Sequence, residues 1–337
     1  MKNSLLNSLL SYFLAIFLLT LVSFQAHPSL KLSSTASFKK EKNSLENFEP
    51  KKTLDFFAGN LNLKAIPFKN LLKKEKTFSQ KKPPKAFLKE RLKPSFPSKI
   101  NLPAQISAQA ALVIEPKTNF VFFEKNSLKT LPLASITKLM TAYVALKYFP
   151  ENLILEVPEG IEKIETSKGK LDPKDKFYLK DLVYLMLLVS SNQAAWTLEK
   201  NLHLVPLMNL EAKKLNLKNT FFEDASGLSE KNVSSAKDIT ALVYFLLKQK
   251  PEIFEIEKTK EIKITSFKGK VYHLKNNHPF INFPNFLGGK TGTLSLSFQN
   301  LVSVFKIKEK VIVIVVLGSK DRFKDSQKIL TKLLNEN

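Results

Sequence analysis

From about residue 101 onward, short runs with β character alternate with longer apolar stretches at helical spacing. AALVIEP and FVFFEKN are strand-like and are separated by KTN, which predicts a hairpin. Residues 135–148 read as a helix, and LKDLVYLMLLV (179–189) as a second one, apolar almost all round and therefore buried. A helical segment, QAAWTLEK, follows Asn192. SSAKDITALVYFLLKQ (234–249) is amphipathic, with Ser235 placed to cap its N-terminus. Three strand-like runs come late, GKTGT, NLVSVFKI and KVIVIVVLGS, before a terminal helix, FKDSQKILTKLL. A hairpin, a helical block, three strands and a helix predict an α+β domain, an antiparallel sheet covered by helices. There is no internal repeat.

The N-terminal part reads differently. Leu9–Val22 is a nearly pure apolar run, as in a secretory signal, and Leu5–Ala26 is long enough to span a bilayer if uncleaved. Residues 1–26 are therefore expected to be a signal peptide or membrane anchor. The flank carrying Lys31, Lys39 and Lys40 is more basic than Lys2, which favours the opposite orientation. Export is still the expectation. Residues 27–100 are rich in Lys, Ser, Pro and Phe and are expected to be a disordered basic linker. Residues 101–337 then form the globular domain that carries the chemistry.

Composition narrows the chemistry. The net charge is +23, of which +12 falls in residues 27–100 and +10 in 101–337. An anionic cell surface held by the linker is the partner this suggests. No basic stripe with interleaved aromatics points to nucleic acid. There are no cysteines, and His27, His203, His273 and His278 show no metal-ligand spacing. No metal or other cofactor is expected.

The pattern S-x-x-K occurs six times, starting at Ser37, Ser79, Ser135, Ser167, Ser234 and Ser303. Two lie in the linker, Ser167 in a polar loop, Ser234 at a helix start, and Ser303 in a strand, where i and i+3 face opposite ways. Only Ser135 combines a helix start with apolar sequence on both sides, so that Lys138 shares its face. Two further triplets follow: Ser190-Ser191-Asn192, after the buried helix, and Lys290-Thr291-Gly292, opening a strand. S-x-x-K, S-x-N and K-T-G in this order mark serine penicillin-recognising enzymes.

The resemblance extends beyond triplets. LPLASITKLMTAYVAL, LVSSNQAA, KLNLKNTFFEDASGL, SSAKDI and GGKTGT resemble the D-alanyl-D-alanine carboxypeptidases, the low-molecular-mass penicillin-binding proteins of peptidase family S11, over about residues 104–332. This implies the serine β-lactamase/D,D-peptidase-like fold, in which a helical subdomain accompanies the sheet. It also implies hydrolysis of peptidoglycan stem peptides ending in D-Ala-D-Ala, and covalent inhibition by β-lactams. Relatives often carry Gly where Ser191 stands, and many carry a second, β-rich domain, for which the 45 residues after Gly292 leave no room.

Chemistry suggests the roles. With no histidine beside it, Ser135 as nucleophile needs Lys138 as base, and a nearby cation, Lys290, would lower the pKa of that lysine. Ser190 would relay a proton to the leaving amine. Asn192 would hold the substrate amide and orient Lys138. Lys290 and Thr291 would bind the terminal carboxylate region. Gly288, Gly289 and Gly292 would keep the strand edge open for a peptide to add alongside. By similarity to the family, the N–H groups of Ser135 and Thr293 would form the oxyanion hole, with Lys320 and Arg322 as candidate helpers. Each residue also has a plainer reading: Ser135, Ser190 and Asn192 as helix caps, Lys290 as a solvated charge, Trp196 as core.

Three rivals share these features. A class A-like β-lactamase needs a deacylating carboxylate, and the nearest string, EAKKLN from Glu211 to Asn216, has the wrong spacing. A D,D-endopeptidase would use the same groups on a cross-link. A non-catalytic wall-binding scaffold would have no need of an intact set.

Overall fold

The computed structural model describes residues 106–295 and 298–335. The signal or anchor segment and the basic linker expected from the sequence lie outside the described residues. Strand β1 (Ala110–Glu115) turns back into β2 (Phe120–Lys125), forming the predicted hairpin. A two-residue strand, β3 (Leu131–Pro132), leads to a 3-10 turn over Ala134–Thr137 and then helix α1 (Lys138–Tyr148). The sequence placed Ser135 inside one continuous helix. It lies instead in the 3-10 turn, and α-helical geometry begins at Lys138.

The helical block follows. Strands β4 (Ile154–Glu156) and β5 (Lys176–Tyr178) pair with each other, and helices α2 (Leu179–Leu188), α3 (Asn192–Leu202) and α4 (Leu204–Lys214) come after them. Short β6 (Val233–Ser234) pairs with β3 and leads into α5 (Ala236–Gln249). The Ser235 side chain accepts a hydrogen bond from the Asp238 N–H, the cap expected from sequence. Helix α6 (Glu252–Glu257) precedes a hairpin of β7 (Glu261–Thr265) and β8 (Val271–Lys275). Strands β9 (Phe286–Ser295), β10 (Phe298–Ile307) and β11 (Lys310–Ser319) and helix α7 (Arg322–Asn335) complete the domain.

The main sheet is antiparallel, in the order β2-β1-β11-β10-β9. Its central strands show a period of two, one set per face. Ala110, Leu112, Val302, Val304, Val313 and Val315 pack with the helical block. Ala111, Val113, Leu301, Phe305, Ile312 and Ile314 pack with Ile329, Leu330 and Leu333 of α7. Strands covered on both faces need apolar residues at every position, which explains the unbroken run VIVIVVL. Strand β9, with the K-T-G triplet, is an edge strand of this sheet. Helix α2 is buried nearly all round, as its composition predicts.

Candidate active site

The three triplets, scattered over more than 150 residues of sequence, converge. In a 3-10 turn residues i and i+3 eclipse, so Lys138 is carried directly over Ser135. The Lys138 Nζ lies 2.7 Å from Ser135 Oγ. It also donates to Asn192 Oδ1 at 2.7 Å and to the Ser226 carbonyl at 2.5 Å. Lys138 is fully buried. Burial lowers its pKa well below the usual lysine range, the Lys290 charge lowers it further, and Asp224 partly opposes both. A neutral amine has two N–H groups and one lone pair. Two carbonyl oxygens occupy the N–H groups, and the lone pair is left facing the serine hydroxyl.

Two strained residues frame this geometry. Ala134, just before the nucleophile, and Ser190 have φ of 50° and 60°. Left-handed backbone at non-glycine residues persists only where the surroundings hold it. Asn300 is one holder: from β10 its side-chain amide donates to the carbonyls of Pro132 and Leu133, and its oxygen accepts the Gly318 N–H. Gly227 is another. At φ +84°, a Cβ there would stand 1.9 Å from the Ala134 carbonyl oxygen.

Lys290 is 1 % exposed and donates to Ser190 Oγ at 3.2 Å. Burial lowers its pKa to about 8, with Glu257 opposing the shift and Arg322 adding to it. Glu257 is equally buried and is pushed up to about 8 by burial, against the pull of Lys290. Desolvation thus drives both groups toward neutrality while their mutual attraction favours the charged pair. Among the described residues, Ser190 Oγ accepts from Lys290 and forms no hydrogen bond with Ser135 or Lys138. Asn192 Nδ2 donates to the Glu165 carbonyl at 2.8 Å, leaving one N–H for a ligand. Thr291 is buried and Thr293 exposed on β9.

Of the two late basic candidates, Arg322 has a side chain that reaches β9. The Arg322 guanidinium donates to the Gly292 carbonyl at 2.7 Å and to Thr293 Oγ1 at 2.6 Å. The β9 glycines need a different explanation from the sequence reading. They admit the protein itself: a Cβ at Gly289 would lie 2.1 Å from the Val302 carbonyl, and one at Gly292 would lie 2.8 Å from the Leu133 carbonyl. The open edge comes from strand order, not from missing side chains.

Several contributors had no role assigned from sequence. The DASG segment supplies the Ser226 carbonyl. Asp224 organises it by accepting from the N–H groups of Ser226, Gly227 and Ser229. Burial works against the Asp224 charge, but these bonds hold its carboxyl below the usual range. The segment lay inside the quoted resemblance, which was the available signal. His278 is buried behind β9, with Nε2 3.0 Å from the Val302 carbonyl, and Nδ1 accepts the Phe280 N–H. Burial pushes its pKa down to about 3. Glu211, the β-lactamase candidate, lies on α4, accepting from Tyr143, Lys147, Tyr148 and Lys214. Burial opposes its charge, yet these donors lower its pKa to about 2. Trp196 packs against the core with Lys200 over its ring. Among the described residues, no cluster of His, Cys, Asp and Glu could hold a metal ion, and no helix is long and apolar enough to cross a membrane.

This arrangement has counterparts in known proteins. The structure is similar to the Streptomyces K15 DD-transpeptidase, with a TM-score of 0.63 at 22% identity, covering 71% of this chain and 100% of that one. It is also similar to penicillin-binding protein D2 of Listeria monocytogenes in its ampicillin-bound form, with a TM-score of 0.60 at 27% identity over 69% and 99% of the two chains. In sequence, the D-alanyl-D-alanine endopeptidase of Pseudomonas aeruginosa is 32% identical over 251 residues, 69% of this chain and 80% of that protein. The endopeptidase of Escherichia coli K12 is 30% identical over 67% and 77% of the two chains. The D-alanyl-D-alanine carboxypeptidase DacC of the same organism is 30% identical over 67% and 61%. The family model described as D-alanyl-D-alanine carboxypeptidase, Peptidase S11, matches residues 97–321. With that match joined to the α+β penicillin-recognising fold, the chain belongs to the S11 family of D-alanyl-D-alanine peptidases.

Proposed function

We propose that this protein is a serine D-Ala-D-Ala carboxypeptidase that removes the terminal D-Ala from peptidoglycan stem peptides through an acyl-enzyme on Ser135. The observation that carries this reading is the environment of Lys138 Nζ, buried and pinned by two carbonyl oxygens with the nucleophile as its third neighbour. Ser135 Oγ attacks the carbonyl of the penultimate D-Ala and Lys138 takes its proton. The oxyanion forms against the backbone N–H groups of Ser135 and Thr293. As the C–N bond breaks, the leaving amine takes back the proton that Lys138 received, with Ser190, bonded to Lys290 before substrate enters, as the relay between them once substrate is bound. Water, deprotonated by Lys138, then hydrolyses the ester. Lys290, Thr291 and Arg322 hold the terminal carboxylate, and Asn192 holds the amide. Such a substrate is reached by export, with residues 1–26 as signal or anchor and the basic linker as a tether to an anionic surface.

Labelling with a fluorescent penicillin tests the assignment: the wild type should label and Ser135→Ala should not. Equal labelling of both would remove Ser135 from the mechanism. The penicilloyl-enzyme should persist, because Glu211, the candidate deacylating carboxylate, is held by other partners on α4. Rapid release would favour a β-lactamase.

A further inference from the structure

Helix α6 turns one of its acidic residues into the core beside the site. Glu252 and Glu255 lie toward solvent and pair with Lys250 and Lys258. Glu257 faces inward and is buried, and its Oε1 has no hydrogen-bond partner among the described residues. Strand β9 explains how closely it approaches. A Cβ at Gly288 would stand 3.0 Å from the Phe254 ring and 3.2 Å from Glu257 Cβ, so the missing side chain lets α6 press onto the strand. Gly288 and Lys290 are two apart in β9 and point to the same face. The Glu257 carboxylate and the Lys290 ammonium therefore share one buried layer between α6 and the sheet.

Lys290 gives two of its three N–H groups to uncharged acceptors, Ser190 Oγ at 3.2 Å and the Thr291 carbonyl at 3.3 Å. A buried ammonium held by neutral acceptors alone is strongly unfavourable unless an anion compensates it. The other groups around Lys290 do not supply that anion. Arg322 is a second cation, Lys138 a second amine, and His278 is buried and neutral. Asp224 acts on Lys138 and is committed to the DASG N–H groups. Helices α1, α2 and α5 also pack against α6, and their charged residues are engaged elsewhere. Lys147 pairs with Glu211, Lys180 with Glu151 and beside Asp181, Asp238 accepts from the Asn219 N–H, Lys248 lies over the Tyr244 ring, and Lys237 is exposed. The carboxylate whose charge acts on Lys290 is that of Glu257.

We propose that Glu257 is a positioning residue for the reaction: from α6 it keeps Lys290 in the ammonium form that donates to Ser190 and meets the substrate carboxylate. The inference rests on the D,D-peptidase reading and adds to it a residue that touches neither substrate nor reacting atoms. Burial drives both groups toward neutrality and their attraction opposes it. Glu257 raises the Lys290 pKa against burial and Arg322. Without that carboxylate Lys290 loses its proton at lower pH, and the alkaline limb of acylation moves down with it.

The test follows acylation of the full chain by a fluorescent penicillin across pH. In Glu257→Gln the alkaline limb should fall by about one pH unit, lowering the rate at pH 8 about fivefold and leaving the rate at pH 6 nearly unchanged. Glu257→Asp keeps the charge one methylene farther away and should return the limb most of the way. Added to Lys290→Gln, Glu257→Gln should leave the profile as it is, since no cation remains to be held. A limb that stays in place in Glu257→Gln, or moves as far in Glu257→Asp, overturns the proposal. So does a further change when Glu257→Gln is added to Lys290→Gln. If Glu257→Gln does not fold, the double variant decides. A folded double variant supports the proposal, because the uncompensated ammonium was then what destabilised the single one. A double variant that also fails to fold makes Glu257 a structural residue and overturns it. A wild type that no penicillin labels fails the underlying reading instead.

Discussion

Lys138 and Lys290 sit in one buried site, and the Lys290 charge makes a proton on Lys138 less favourable. That coupling has a measurable sign. Removing the cation in Lys290→Gln relieves one of the two effects that lower the pKa of Lys138, so the acid limb of penicillin acylation should move to higher pH. Burial lowers the Lys290 pKa to about 8, so the wild type should show an alkaline limb there that the variant lacks. A pH profile of the acylation rate reads both, and an unmoved acid limb would mean that Lys138 does not feel Lys290. His278 shows the same physics in stability. Its Nδ1 accepts the Phe280 N–H, so protonation would set donor against donor. Its folded pKa, about 3, lies below the ordinary 6.5, so the unfolded chain binds the extra proton between these values. Stability is therefore full above pH 6.5 and declines as pH falls toward 3, with a slope of about 1.4 kcal/mol per pH unit from this group. Urea unfolding from pH 7 to 4 should show this limb, and His278→Gln should flatten it.

Among elements, the 3-10 turn before α1 depends most on its neighbours. Its register is held from β10 by Asn300 and from the DASG loop by Gly227. Asn300→Ala leaves two carbonyls and one N–H without this partner and should cost about 3 kcal/mol, seen as a lower denaturant midpoint. Acylation should slow beyond what the stability loss explains. Gly227→Ala places a methyl on the Ala134 carbonyl at a left-handed φ, and should cost more than about 3 kcal/mol or abolish penicillin labelling. Neither dependence was legible in sequence. Asn300 sits in a run that reads only as a strand, and the partner of Gly227 lies more than ninety residues away. The β7–β8 hairpin was also missed. Its buried set, Ile264, Tyr272 and Leu274, is thinly spread among lysines, so the period of two is faint.

At the scale of the whole molecule, some features followed from local chemistry alone. The long apolar helix, the strands VIVIVVL and NLVSVFK, and the Ser235 cap all depend on residues close in sequence, where periodicity carries the information. The nucleophile was legible because three triplets in order restrict the choice among six candidates. Other features required folding. That Lys138 has two carbonyl acceptors, that Arg322 rather than Lys320 reaches Thr293, that β9 lies at the sheet edge, and that its glycines make room for Val302 and Leu133 all come from long-range packing. So does the buried layer that Glu257 shares with Lys290. Sequence determined which groups could do chemistry and which segments would be helix or strand. Tertiary structure decided their distances, burial and mutual charge, because desolvation and hydrogen-bond geometry depend on neighbours that the linear order does not reveal.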